Sequence, residues 1–93
     1  MPSLIATVRV KEEKIEEARS FFKELGAQVS RDEPGTLAYV IHQKKDEPQT
    51  FVVYEKYESD EAFKTHQKNL GKVAAQFGAI LAGAPELVVL EEI

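Results

Sequence analysis

TLAYVIHQKKDEPQTFVVYEKY, residues 36–57, is the stretch whose reading decides the fold. Thr36–Gln43 and Thr50–Tyr57 are rich in β-branched and aromatic residues, the composition of strands. The segment between them, KKDEPQ, is polar and contains a proline, so it reads as a loop. The two runs predict an antiparallel hairpin with a loop longer than the tightest kind.

Outward from this hairpin, both flanks change to helical spacing. Upstream, Ile15, Ala18, Phe22, Leu25 and Val29 share one face, with KEEK and EE on the other. Gly26 either ends this helix or weakens it. SRDEPGT (30–36) reads as a turn around the breaker pair Pro34-Gly35. Downstream, Ser59 is placed to cap a helix whose first turn carries Asp60 and Glu61, where the helix dipole favours acids. That helix runs to about Gly71, and a second helical piece covers Val73–Leu81, broken up by Gly78, Gly83 and Pro85. Strands are predicted at both ends, Leu4–Val10 and Leu87–Glu92.

The order β-α-β-β-α-β predicts an α+β, ferredoxin-like split βαββαβ fold: one antiparallel four-stranded sheet with helices on one face. Its 93 residues suffice for a single domain, 1–93, with one modest core. The strand segments FVVY (51–54), LVVL (87–90) and LIATV (4–8) are apolar on both faces. One face can pack on the helices, and the other needs a cover the chain does not contain. A second copy of the sheet, packed face to face as a two-fold homodimer, is the economical solution.

The formal net charge of −4 argues against general affinity for nucleic acid or anionic membrane. With no cysteine, disulfides, thiolate metal sites and cysteine nucleophiles are excluded. MPSLIATVRV lacks the basic segment and long apolar run of a signal peptide, and no stretch approaches the ~18 apolar residues of a membrane span. A cytoplasmic protein is expected. The two histidines, His42 and His66, fall on different elements with no carboxylate at ligand spacing, so no metal is expected. GKVAAQFG (71–78) lacks the spacing of a nucleotide fingerprint, and no serine lies in a nucleophile elbow.

Phe63, His66, Leu70, Val73 and Phe77 share one helical face. His66 is therefore either a core histidine with a satisfied hydrogen bond or an acid–base group lining a pocket. His42, beside Gln43 and Lys44, is expected to be exposed. Glu55 shares a strand face with Phe51, Val53 and Tyr57 and needs a partner or a wet cavity. A salt bridge to Arg9, a strand end reaching water and a pocket wall are the three readings.

SRDEPGTLAY (30–39), DEPQTF (46–51) and YEKYESDEAFKTHQKN (54–69) together resemble the antibiotic biosynthesis monooxygenase family, or ABM domains. The resemblance lies in the Arg and Glu-Pro-Gly turn before a tyrosine, and in a Glu followed two residues later by an aromatic. A Ser or Asp cap, an Ala-aromatic pair and a histidine complete it. It implies a homodimer whose two sheets form a dimeric α/β barrel, with a pocket in each subunit between the sheet and its own helices. It further implies oxygenation of an electron-rich aromatic by dioxygen as co-substrate, with no metal, flavin or haem cofactor. His66 would be the catalytic base and hydrogen-bond partner of the oxyanion. Tyr39, Ile41, Val53, Glu55, Tyr57, Phe63 and Phe77 would form the substrate pocket.

Within that family, the anthrone-oxygenating branch uses polar side chains where this chain has Val53 and Phe63. The haem-degrading branch has a tryptophan in place of His66, a histidine in place of Gln76 and an asparagine near Ala6, and neither pattern is met. The branch that oxidises quinols and processes signalling molecules is the closest resemblance. A monooxygenase acting on a small quinol or phenol is thus the leading expectation. The alternatives are an isomerase or detoxifying enzyme of a small carbonyl metabolite, or a non-catalytic ligand-binding regulatory dimer.

Overall fold

The computed structural model describes residues 1–93. Strand β1 (Pro2–Arg9) leads through a 3-10 turn into helix α1 (Ile15–Asp32). The hairpin strands are β2 (Thr36–Gln43) and β3 (Thr50–Tyr57). Helices α2 (Asp60–Gly71) and α3 (Ala74–Ile80) follow, and β4 (Glu86–Glu91) ends the sheet. The strand order is β2-β3-β1-β4, with every neighbouring pair antiparallel. This is the ferredoxin-like α+β arrangement predicted from the hairpin and its helical flanks. No helix is long and apolar enough to cross a membrane.

Helix α1 passes through Gly26 and buries Ala18, Phe22, Leu25 and Val29. Ser30, Arg31 and Asp32, expected in a turn, are its last residues. The helix stops at Glu33, whose N–H still bonds the Val29 carbonyl. The next residue is Pro34, which disfavours helical geometry in the residue before it. One face of the sheet packs on the helices through Leu4, Ala6 and Val8 of β1 and Phe51, Val53, Glu55 and Tyr57 of β3, all buried. On the opposite face, Val40, Tyr54 and Val88 are 47%, 37% and 47% exposed, with Ile5 and Val52 half-buried among them. That apolar stripe has no cover within the chain.

Two local contacts place α2 relative to the hairpin. Ser59 Oγ accepts a hydrogen bond from the Ala62 N–H at 3.1 Å, the N-cap predicted from the sequence. Gly35, in the turn after α1, lies so close to α2 that a Cβ there would be 2.7 Å from Ala62 Cβ. The glycine is needed for this approach rather than for an unusual φ, since no glycine has positive φ. Gly35→Ala should therefore cost about 1–3 kcal/mol by overpacking, and lower the melting temperature by about 4–8 °C per kcal/mol. An unchanged thermal midpoint would contradict the contact.

Candidate active site

The α1–β2 turn and α2 meet at a buried cluster of polar side chains. His66 is 3% exposed, and its Nδ1 lies 2.9 Å from Glu33 Oε1. The Glu33 carboxylate also accepts from Thr36 Oγ1 at 3.1 Å and from Asn69 Nδ2 at 3.3 Å. Asn69 and His66 lie one helical turn apart, so a single face of α2 supplies two donors to one carboxylate. An acceptor-only group against Nδ1 selects the tautomer that carries its proton there. The other ring nitrogen, Nε2, is then free to accept one. It lies 4.0 Å from Glu55 Oε1, beyond hydrogen-bond reach.

Glu55 settles among the three readings as a buried cavity residue; its partner is Tyr57, not Arg9. The Tyr57 hydroxyl, two residues along the same strand face, donates to Glu55 Oε1 at 2.5 Å. Burial pushes the Glu55 carboxyl up from the ordinary 4.5; the Tyr57 hydrogen bond and His66 pull it down, and Glu33 adds to the rise. Burial, together with the neighbouring carboxylates, also pushes the Tyr39 and Tyr57 phenols up, so both hold their protons at neutral pH.

The Glu55 shift has a consequence for stability. Ionising this carboxyl costs more in the folded than in the unfolded chain. Its contribution to stability is therefore greatest below the ordinary carboxylate pKa and falls as pH rises through the elevated folded value. Glu55→Gln removes that penalty and keeps an oxygen for the Tyr57 hydroxyl. The variant should melt close to the parent at pH 4 and above it at pH 8, by about 4–8 °C for each kcal/mol recovered. A difference that stays constant across this range would exclude the mechanism.

His66 and Glu55 border a cavity of about 160 Å³ between the sheet and the helices. Tyr39, Val53, Phe63 and Phe77 also line it, so six of the residues singled out in the sequence converge on one space. The Tyr39 ring lies tilted against His66, ring centroids 5.0 Å apart and planes at 57°. Two residues expected in the wall are not in it. Tyr57 is fully buried one layer below, with its ring against Phe63 and its hydroxyl on Glu55. Ile41 packs toward Gly26 of α1 and lines a wider, shallower groove of about 720 Å³ at the β2 edge. His42 is exposed, as expected.

Glu33 is a site residue with no candidate role in the sequence pattern, although the Glu-Pro-Gly turn that carries it is visible there. The signal available was a carboxylate before a turn that must pack on the histidine helix. Leu4 and Ala6 of β1, Phe22 of α1, Pro85 just before β4 and Leu87 within it also line the cavity, with no sequence signal for that role. No group of three or more His, Cys, Asp or Glu side chains is arranged to hold a metal ion.

The ferredoxin-like domain thus holds a mainly apolar cavity with an imidazole, a phenol and a carboxyl on its wall. The chain belongs to the antibiotic biosynthesis monooxygenase family, whose model matches residues 1–82. A candidate antibiotic biosynthesis monooxygenase from Caulobacter crescentus is 32% identical, with a TM-score of 0.90 over 99% of this chain and 89% of that one. A Pseudomonas aeruginosa protein is 26% identical, with a TM-score of 0.87 over 99% and 93%. A candidate member from Nitrosomonas europaea, 24% identical with a TM-score of 0.91 over 100% and 99%, shares the fold. No curated protein matches the sequence.

Proposed function

We propose that this chain is a cofactor-independent monooxygenase that oxidises a small quinol or related phenol with dioxygen, in the manner of the quinol-oxidising branch of its family. The observation that carries the reading is the 4.0 Å gap between His66 Nε2 and Glu55 Oε1 at the cavity wall. One substrate hydroxyl seated there can reach both atoms at ordinary hydrogen-bond distances. Nε2, oriented by Glu33 through Nδ1, takes the hydroxyl proton. Glu55, whose elevated pKa extends the range over which it stays protonated, donates to the oxyanion that forms.

The chemistry balances without an external reductant. The aryloxide gives one electron to dioxygen, which relieves the spin restriction on direct reaction, and the radical pair combines at the adjacent ring carbon. The peroxide takes the proton held by His66 and becomes a hydroperoxide. His66 then removes the hydrogen from that carbon, the O–O bond breaks, and hydroxide leaves with this proton as water. The products are a hydroxyquinone and one water. Dioxygen gains four electrons, all from the substrate. The protein binds the ring, favours its anion and keeps bulk water away.

Ten of the fourteen cavity residues are hydrophobic, which favours an aromatic ring over the hydrated carbonyl metabolite of an isomerase. A second copy of the chain would cover the apolar outer face of the sheet. Light scattering should then give about twice the 10.4 kDa chain mass, and a monomer mass at micromolar concentration would remove the dimer. The oxygenase reading is tested with methylhydroquinone and menadiol under ¹⁸O₂. Dioxygen uptake above background, with one ¹⁸O in the quinone and one in water, supports it. Unlabelled quinone with hydrogen peroxide, or no uptake above background with either quinol, rejects it.

A further inference from the structure

We propose that Tyr57 is a positioning residue of the reaction: its buried hydroxyl holds the Glu55 carboxyl at the cavity wall, while its ring backs the His66 imidazole. This rests on the oxygenase reading above for the reaction that the pair serves. Tyr57 is fully buried and lines no part of the cavity, so it does not touch a substrate there. It acts through its neighbours.

Tyr57 contacts both working groups at once. It shares a face of β3 with Glu55, two residues away. Its hydroxyl donates to Glu55 Oε1 at 2.5 Å, the one hydrogen bond made to that carboxyl. Its ring lies tilted against those of His66 and Phe63, with centroids 5.6 and 5.1 Å away. Across the hairpin it pairs with Thr36, whose hydroxyl donates to Glu33, the acceptor at His66 Nδ1.

Packing alone does not call for a hydroxyl at this depth, where phenylalanine would fill nearly the same space. A buried O–H costs free energy unless it is bonded. Replacing both partners of a buried hydrogen bond by apolar groups of the same shape is often nearly neutral. The fold therefore does not explain the Tyr57–Glu55 pair, whereas its place at the cavity wall does.

The groups facing Glu55 give the sign of the effect. Burial pushes its carboxyl up, the Tyr57 bond and His66 on α2 pull it down, and Glu33 after α1 pushes it up. Tyr39, opposite on β2, is a neutral phenol, and Leu4, opposite on β1, is apolar. Removing the Tyr57 hydroxyl thus leaves burial less opposed. A carboxyl that releases its proton less readily, and is no longer held in place, is a poorer donor.

Two changes at this position act in opposite directions. Tyr57→Phe keeps the ring and removes the donor, whereas 3-fluorotyrosine placed at position 57 keeps the donor and makes it more acidic. Glu55 ionisation is read without catalysis from the ¹³C shift of its carboxyl, assigned by its absence in Glu55→Gln. The midpoint should move to higher pH in Tyr57→Phe and to lower pH in the fluorotyrosine protein. With menadiol under air, Tyr57→Phe should lose about tenfold in kcat/KM at low pH, part of the 10²–10³ that removing such a donor outright costs. That ratio should shrink as pH rises, because the parent loses its Glu55 proton first.

A role in folding alone lowers the melting temperature and leaves the midpoint and the rate ratio independent of these changes. Unmoved midpoints, midpoints that move in the same direction, or a rate ratio constant with pH overturn the proposal. If Tyr57→Phe does not fold, the fluorotyrosine protein decides, since its rate should fall away at lower pH than the parent's. If quinol is oxidised but the midpoints do not move, the oxygenase reading stands without Tyr57. If the midpoints move and no quinol is oxidised, that reading falls, and the hold of Tyr57 on Glu55 is kept.

Discussion

His66→Ala should lower kcat/KM for dioxygen-dependent quinol oxidation by about 10²–10⁴-fold, the usual contribution of a positioned acid–base group. The loss should fall on kcat. Ring binding draws on Leu4, Val53, Phe63 and Phe77, which the substitution leaves in place. On a substrate that does not itself ionise there, log(kcat/KM) should fall as pH rises through the elevated Glu55 ionisation, in parent and variant alike. Truncation also opens a space of imidazole size next to the cavity, so added imidazole should restore part of the rate. A circular dichroism melt separates lost chemistry from lost fold. Equal oxygen-uptake rates for parent and folded variant would remove His66 from the mechanism.

The second large effect concerns Glu33, and it divides between two substitutions. Glu33→Ala takes the acceptor from His66 Nδ1, Thr36 Oγ1 and Asn69 Nδ2 at once. The buried His66 donor left unmade costs about 1–3 kcal/mol, with smaller losses at the half-buried Thr36 and Asn69. A native domain holds only about 0.05–0.15 kcal/mol per residue. The summed loss is about 3–5 kcal/mol, enough to leave little folded protein at 37 °C. Glu33→Gln keeps an oxygen for His66 and Thr36, and Asn69 can turn its amide to match. This variant should fold, with kcat reduced on the order of 10²-fold or more and KM nearly unchanged, the effect of weakening the group that orients a catalytic imidazole. A folded Glu33→Gln enzyme with parental kcat would show that the carboxylate serves the fold alone.

The contrast between these two residues shows how far the sequence could be read. His66 stands out because it interrupts an apolar helical face with period 3.6, a pattern confined to a dozen neighbouring residues. The hairpin strands are legible for the same reason: both match their predicted limits, Thr36–Gln43 and Thr50–Tyr57. Local preference also explains the misreading at 30–32. Those residues resemble a turn in composition, but burying Val29 at 2% exposure carries the helix on to Asp32.

Glu33 carries no such local signature. It is thirty-three residues from His66, and its proximity depends on Gly35 meeting Ala62 as the turn packs against α2. Tyr57 and Ile41 fail as wall residues on similar grounds. Strand alternation gives the face a side chain points to, not the depth at which it sits. Tyr57 lies on the predicted face but beneath Phe63, while Ile41 leans toward α1. The sequence by itself determined the order of elements, the face that carries His66 and the two-sided apolar character of the sheet, because each is written in short-range periodicity. Only the tertiary structure decided which carboxylate anchors the imidazole, which faces it across 4.0 Å and which side chains enclose the cavity beside them, because those depend on how elements distant in sequence pack.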